Sequence, residues 1–328
     1  LVTALWSPAV TAQQPPFVVR VDVARVLIDV RVLDDAWRPV RGLEPADFKV
    51  RIDRREVRVE SMEWIEGAVP ADTVASGISG KPQDYPSRRL IVVLVQISPE
   101  SVRMVGLMQM MQLVDPLLQQ LTTDDRIAVL SFDSHLKIWT DFTGDIDRVR
   151  SLLREDVLIR SPSAIEPAGE PSLRLDQASA KKIYEIEGAL RRVGEALEPL
   201  PGAKTIILLG YGFGRFNAST GGVTLMDGYD KASAALQRAR ASVFTLNVTQ
   251  ANYNSLQAGL QAVAAETGGF YASTYEFPKL AIQHMVHAMA GQYVLFVDKP
   301  TEATGLHDIE VRLTSKKGRV FARRTYVD

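Results

Sequence analysis

Few residues in this sequence could do chemistry. It has no cysteine and four histidines, which removes thiolate nucleophiles, thiolate zinc sites and disulfides together. Gly210-Tyr211-Gly212-Phe213-Gly214 follows an apolar run, as a phosphate-cradling turn would. The G-x-G-x-x-G fingerprint, however, needs glycine where Arg215 stands and a helix directly after it. His284 and His287 are three apart on a predicted helix and could share a face. No carboxylate or thiol nearby completes a zinc set, so they read as surface or core histidines. Ser79 and Ser98 lack the G-x-S-x-G setting of a hydrolase nucleophile, and no His–Asp arrangement accompanies them. The chain therefore reads as non-catalytic.

The elements that must position these residues follow from periodicity. At 328 residues the chain suits about two domains. Its 46% hydrophobic and 23% charged residues are those of a globular protein, and the net charge of -1 offers no field for nucleic acid. The basic pairs Arg54-Arg55 and Arg323-Arg324 read as solvated strand faces beside Asp53, Glu56 and Asp328. Residues 17–66 alternate as β-strands, with turns at Asp34–Pro39 and Asp53–Glu56. Residues 67–87 lack periodicity and read as a linker. From 88 to 290 the pattern changes. Leu90–Val95 is a continuous apolar run, as in a strand buried on both faces of a parallel sheet. Further strands are predicted at 127–132, 205–209, 242–248 and 269–271, with an antiparallel edge strand at 135–139. Helices are predicted at 100–121, 144–154, 177–198, 225–240, 255–266 and 278–290. In the first of these, Val102, Val105, Leu107, Met108, Met111 and Val114 form the expected core face. Residues 160–176 read as a surface loop. Repeated βα units predict a doubly wound, mainly parallel, Rossmann-type α/β sheet. Strands return after Gly291, so 17–66 and 291–328 are expected to pair into one small β-sandwich with the α/β domain inserted between them.

The N-terminal stretch adds a location. Leu1–Trp6 is apolar, and Val10-Thr11-Ala12 precedes a polar run, a pattern expected of a signal-peptide remnant over 1–12. A secreted or periplasmic, cell-envelope protein is the resulting expectation. No other stretch has the roughly 20 apolar residues of a membrane span.

Three stretches also carry a resemblance. They are Val40–Val50 with its Gly42-Leu43 and Asp47-Phe48, Ile127–Asp133 with Thr140–Thr143, and Gly291–Leu295 with Val320–Tyr326. In this order they resemble the von Willebrand factor A-related proteins of the acidobacterial exported type, over about residues 17–328. The resemblance implies a von Willebrand factor A-type domain, which usually binds a divalent cation through D-x-S-x-S after the first strand and an Asp after the fourth. Hard oxygen ligands suit Mg²⁺ or Ca²⁺. Here the first motif aligns with Gln96-Ile97-Ser98-Pro99-Glu100, and Tyr211 stands where the later Asp belongs. Gln96, Ser98, Glu100 and Tyr211 are thus expected to form a degenerate metal site, with no cofactor bound.

The expectation is an exported protein-binding or scaffold protein. Its partner would be a protein or peptide of the envelope or exterior, met by the loops at the carboxyl end of the sheet: 96–101, 160–176, 211–224 and 249–254. Phe213, Arg215, Phe216 and Tyr253 are the anchor types there. Two alternatives stand beside it. One is a metal-dependent adhesin keeping an atypical Mg²⁺ or Ca²⁺ site through Ser98, Glu100 and Asp176. The other is a structural subunit of a surface assembly, a homo-oligomer joined through its β segments.

Overall fold

The computed structural model describes residues 25–66, 89–119, 121–163, 169–217, 219, 222–252, 254–299, 304–314 and 318–327. The leader expected at 1–12, the strand at 17–23, the linker at 67–87 with Ser79, and Tyr253 lie outside these residues.

The apolar run at Leu90–Val95 lies in β5 (Arg89–Gln96), at the centre of a six-stranded sheet. Its side chains alternate between two cores: Leu90, Val92 and Leu94 face one, Ile91, Val93 and Val95 the other. On one side of β5 lie β6 (Arg126–Phe132) and the edge strand β7 (Leu136–Thr143). On the other lie β8 (Ala203–Gly210), β11 (Ala241–Asn247) and β12 (Tyr271–Ser273). All pairings are parallel except β6 with β7. The order β12-β11-β8-β5-β6-β7 is that of a von Willebrand factor A-like fold. Helices α5 (Ile186–Leu197), α6 (Gly228–Arg238) and α7 (Gln257–Glu266) cover one face. Helices α1 (Ser101–Gln112), α2 (Asp115–Leu118), α3 (Ile146–Ser151) and α8 (Pro278–Met289) cover the other.

Three details differ from the pattern-based reading. The core face of α1 is Gly106, Leu107, Met110 and Met111, while Val102, Val105 and Met108 are exposed. The helix carries two apolar stripes, and Gly106 selects between them: a Cβ there would stand 1.8 Å from Val248 O, so only glycine lets α1 approach the end of β11. The helix expected at 177–198 is broken into α4 (Gln177–Ala180) and α5. Between them Ile183 O accepts a hydrogen bond from Leu136 N (3.1 Å), so the interruption serves the edge strand. The last of the strands expected after Gly291 divides at Arg323-Arg324. β15 (Arg319–Ala322) pairs with β1 (Arg25–Leu33), and β16 (Thr325–Val327) pairs with β14 (Leu306–Leu313).

Those strands belong to the β-sandwich, in which the two chain ends combine. One sheet has the order β15-β1-β13-β4, the other β16-β14-β2-β3. The first half supplies β2 (Phe48–Ile52), β3 (Arg55–Val57) and β4 (Val59–Glu66), and the second half supplies β13 (Gly291–Asp298). Asp53 and Arg54 turn β2 into β3 with φ of +49° and +67°, the left-handed pair of a tight hairpin. Ile28, Val30, Val50, Ile52, Tyr293 and Leu295 fill the space between the sheets. The sandwich packs on the amino ends of β8 and β11, where Asp29 of β1 meets Arg240 and Arg31 meets Ser242. The carboxyl edge of the α/β sheet faces away from it.

Candidate functional site at the carboxyl edge

β5 ends at Gln96, β8 at Gly210 and β11 at Asn247, so neighbouring parallel strands deliver their loops to one edge. The Gln96 amide is buried there. Its Oε1 accepts from Tyr211 N (3.1 Å) and Gly212 N (3.2 Å), and its Nε2 donates to Gly212 O (2.9 Å). One side chain thereby satisfies three backbone groups where the ladder of β8 has ended. The approach is close: a Cβ at Gly210 would stand 2.5 Å from Gln96 Oε1. Gly212, at φ +113°, would place a Cβ 2.1 Å from Leu256 O. The glycine-rich stretch is therefore packed against Gln96 and the start of α7, and it continues into the hairpin of β9 (Arg215–Asn217) and β10 (Gly222–Thr224). Asn254 Nδ2 donates to Tyr211 O and, at 3.1 Å, to Thr249 Oγ1, tying in the loop after β11.

Beside this amide lies a cation from the protein itself. Arg103, in the first turn of α1, places Nη1 3.0 Å from Glu100 Oε1 and 3.5 Å from Ser98 Oγ. Its guanidinium carbon stands 4.1 Å from the centroid of the Tyr211 ring. A positive charge in the first turn opposes the helix dipole; Glu100 and the ring face offset that cost. Burial pushes the Tyr211 phenol above its usual pKa, against the pull of Arg103 in the other direction. Three of the four positions aligned with metal ligands thus converge on one guanidinium. The fourth, Gln96, has its oxygen taken by two N–H groups. Among the described residues no group of three or more His, Asp or Glu side chains is placed to hold a metal ion. Arg103 was missed by sequence reasoning; the signal available was its i,i+3 spacing from Glu100 at a helix start.

The expected partner-binding residues divide. Phe213 is buried: its ring lies 5.9 Å from that of Tyr229 and packs against Gly259 of α7. The turn at Gly212 sends it into the core beneath α6 and α7, so it is no surface anchor. Arg215 and Phe216 are exposed on β9, Phe216 by 51%. Val102, Val105 and Met108 add exposed apolar surface on α1. Asp176 caps α4 by accepting from Ser179 N (2.8 Å). His284 stacks on Trp37 at 4.5 Å, and burial lowers the pKa of both His284 and His287.

No family model matches the chain, and no curated protein sequence does. Solved structures do resemble it. BatB from Bacteroides thetaiotaomicron is 16% identical, with a TM-score of 0.37 over 60% of this chain and 98% of its own. The vWF domain of the type V pili tip protein Mfa5 from Porphyromonas gingivalis is 11% identical, with a TM-score of 0.38 over 61% of this chain and 94% of its own. Three N-terminal domains of the same Mfa5 protein match 97% of this chain and 69% of their own length, at 10% identity and a TM-score of 0.42. The scores are low, and the fold rests on the strand order and directions described above.

Proposed function

We propose that this is an exported, non-catalytic binding protein that engages a protein partner through the carboxyl-edge loops without a divalent cation. The observation that carries the reading is Arg103, whose guanidinium stands where Ser98, Glu100 and Tyr211 converge. A fixed cation supplied by the chain leaves a metal nothing to neutralise there. The exposed pair Arg215 and Phe216, with Val102, Val105 and Met108, provides the arginine and apolar contacts typical of interface centres. Export is proposed on the apolar composition of residues 1–12 and on the resemblance to acidobacterial exported proteins. No helix of the described residues is long and apolar enough to cross a membrane.

A metal-dependent adhesin would need Ser98, Glu100 and Asp176 to converge on a cation. The first two instead meet Arg103, and the third caps α4. The test is calorimetry of the purified chain with Mg²⁺, Mn²⁺ and Ca²⁺, paired with capture of envelope proteins with and without EDTA. No metal heat at millimolar concentration is expected, with capture insensitive to chelator and lost in an Arg215→Glu/Phe216→Ala variant. Chelator-sensitive capture, or capture unchanged in the variant, would overturn the reading.

A further inference from the structure

At the opposite edge, where the sandwich meets the sheet, charge is buried out of balance. Asp29 has both carboxylate oxygens committed: Arg240 Nη2 lies 2.7 Å from Oδ1 and 2.9 Å from Oδ2, and Gln292 Nε2 donates to Oδ1 at 3.1 Å. Around this pair stand three more cations, Arg31, Lys204 and Arg323, exposed by only 5%, 8% and 9%. Among the described residues, the hydrogen bonds they make are to neutral acceptors. Arg31 Nη1 donates to Ser242 Oγ (2.9 Å) and Gly268 O (3.2 Å), with its guanidinium over the Phe244 ring. Lys204 Nζ donates to Ala239 O (3.0 Å), and Arg323 donates to Leu27 O and Gln237 O. Burying an ionised group without a counter-charge is expensive, even when its N–H groups are satisfied.

The seam also has space. A cavity of about 20 Å³ is lined by Lys204, Gln292 and Ile65, and a second of about 10 Å³ by Arg323, Gln237 and Thr267. The two share Asp29, Arg240 and Ser242 as walls. Each suits a single water-sized particle. Arg323 lines the second cavity, and its Nε is buried and makes no hydrogen bond among the described residues. Ser242 Oγ accepts from Arg31, so its own proton is available to donate.

We propose that this seam binds one small inorganic anion, of chloride size, at the wall formed by Ser242 and Arg240, within the field of Lys204 and Arg323. Cavities of about 10 and 20 Å³ suit a monatomic anion better than a tetrahedral oxyanion. Water fits but brings no charge, and the excess of buried positive charge selects the anion over it. Bound there, the anion links strands of the sandwich to the amino ends of β8 and β11 and stabilises the seam between them.

The experiment is a ³⁵Cl line-width titration, alongside thermal midpoints measured in sodium chloride and sodium gluconate at matched ionic strength. Chloride is expected to broaden saturably and to raise the midpoint by a few degrees over gluconate. Lys204→Gln and Arg323→Gln should each remove both effects, and the exposed Arg312→Gln should retain them. If Arg323→Gln does not fold, Lys204→Gln on the other cavity still decides. Coincident chloride and gluconate curves would overturn the proposal. So would a chloride effect that persists in both variants, or bromide-soaked crystals with only water in the seam.

Discussion

The two edges of the α/β sheet handle polar groups in opposite ways. At the carboxyl edge the bonding is local and nearly neutral: one amide, Gln96, satisfies three backbone groups, and Arg103 is held by Glu100 and the Tyr211 ring. At the amino edge, Arg31, Lys204, Arg240 and Arg323 gather around the carboxylate of Asp29. The first edge carries exposed side chains on a hairpin and a helix face; the second is covered by a sandwich made of both chain ends. The difference shows which edge is built to hold the molecule together and which keeps arginine and apolar side chains exposed. It also locates the energetic risk, since buried unpaired charge costs more than a buried amide with its partners.

Backbone approach gives the largest expected effects. Gly106→Ala or Gly212→Ala drives a methyl into a carbonyl oxygen and should destabilise by about 4 kcal/mol or more, read by urea unfolding. A loss under about 1 kcal/mol would mean the carboxyl edge is looser than described. At the amino edge, Asp29→Ala strips the counter-charge from Arg240 and should cost about 3–4 kcal/mol. Gln96→Ala leaves the Tyr211–Gly212 backbone unsatisfied and should cost about 2–3 kcal/mol, less than Asp29→Ala. If that order reversed, the contrast between the edges would fail.

Lys204 gives a pH test. Burial lowers its pKa from 10.5 to about 8, so between these values the unfolded chain binds more protons than the folded one. Stability should therefore be lower below pH 8 and rise as the pH climbs from 8 towards 10.5. In chloride-free buffer, Lys204→Met should raise stability at pH 7 by about 1–2 kcal/mol and flatten that rise, as measured by chemical denaturation across the range. The smallest effect belongs to the exposed hairpin. Arg215→Glu with Phe216→Ala should change stability by about 0.5 kcal/mol at most while abolishing partner capture.

Much of the fold was legible because its signals are periodic. Leu90–Val95 announces a strand with two buried faces, and alternation in 26–32 and 307–313 announces a sandwich with one. The site was legible only as a set of positions. Gln96, Ser98, Glu100 and Tyr211 do gather at the carboxyl edge, yet what joins Ser98, Glu100 and Tyr211 is Arg103, whose only mark in the sequence is its i,i+3 spacing from Glu100. Phe213 and Phe216 are identical residues three apart; one is core and the other exposed, because Gly212 turns the chain between strand and hairpin.

By itself, the sequence determined the alternation of strands and helices, the insertion of the α/β layer in a split sandwich, and the absence of any thiol. These properties depend on residue type and local period. Only the tertiary structure decided which stripe of α1 is buried, where Arg323 goes, and which cation lies beside Ser98. Those outcomes depend on approach distances between segments remote in sequence, such as Gly106 with Val248 and Arg323 with Leu27. Close packing, unlike periodicity, leaves no mark on either segment alone.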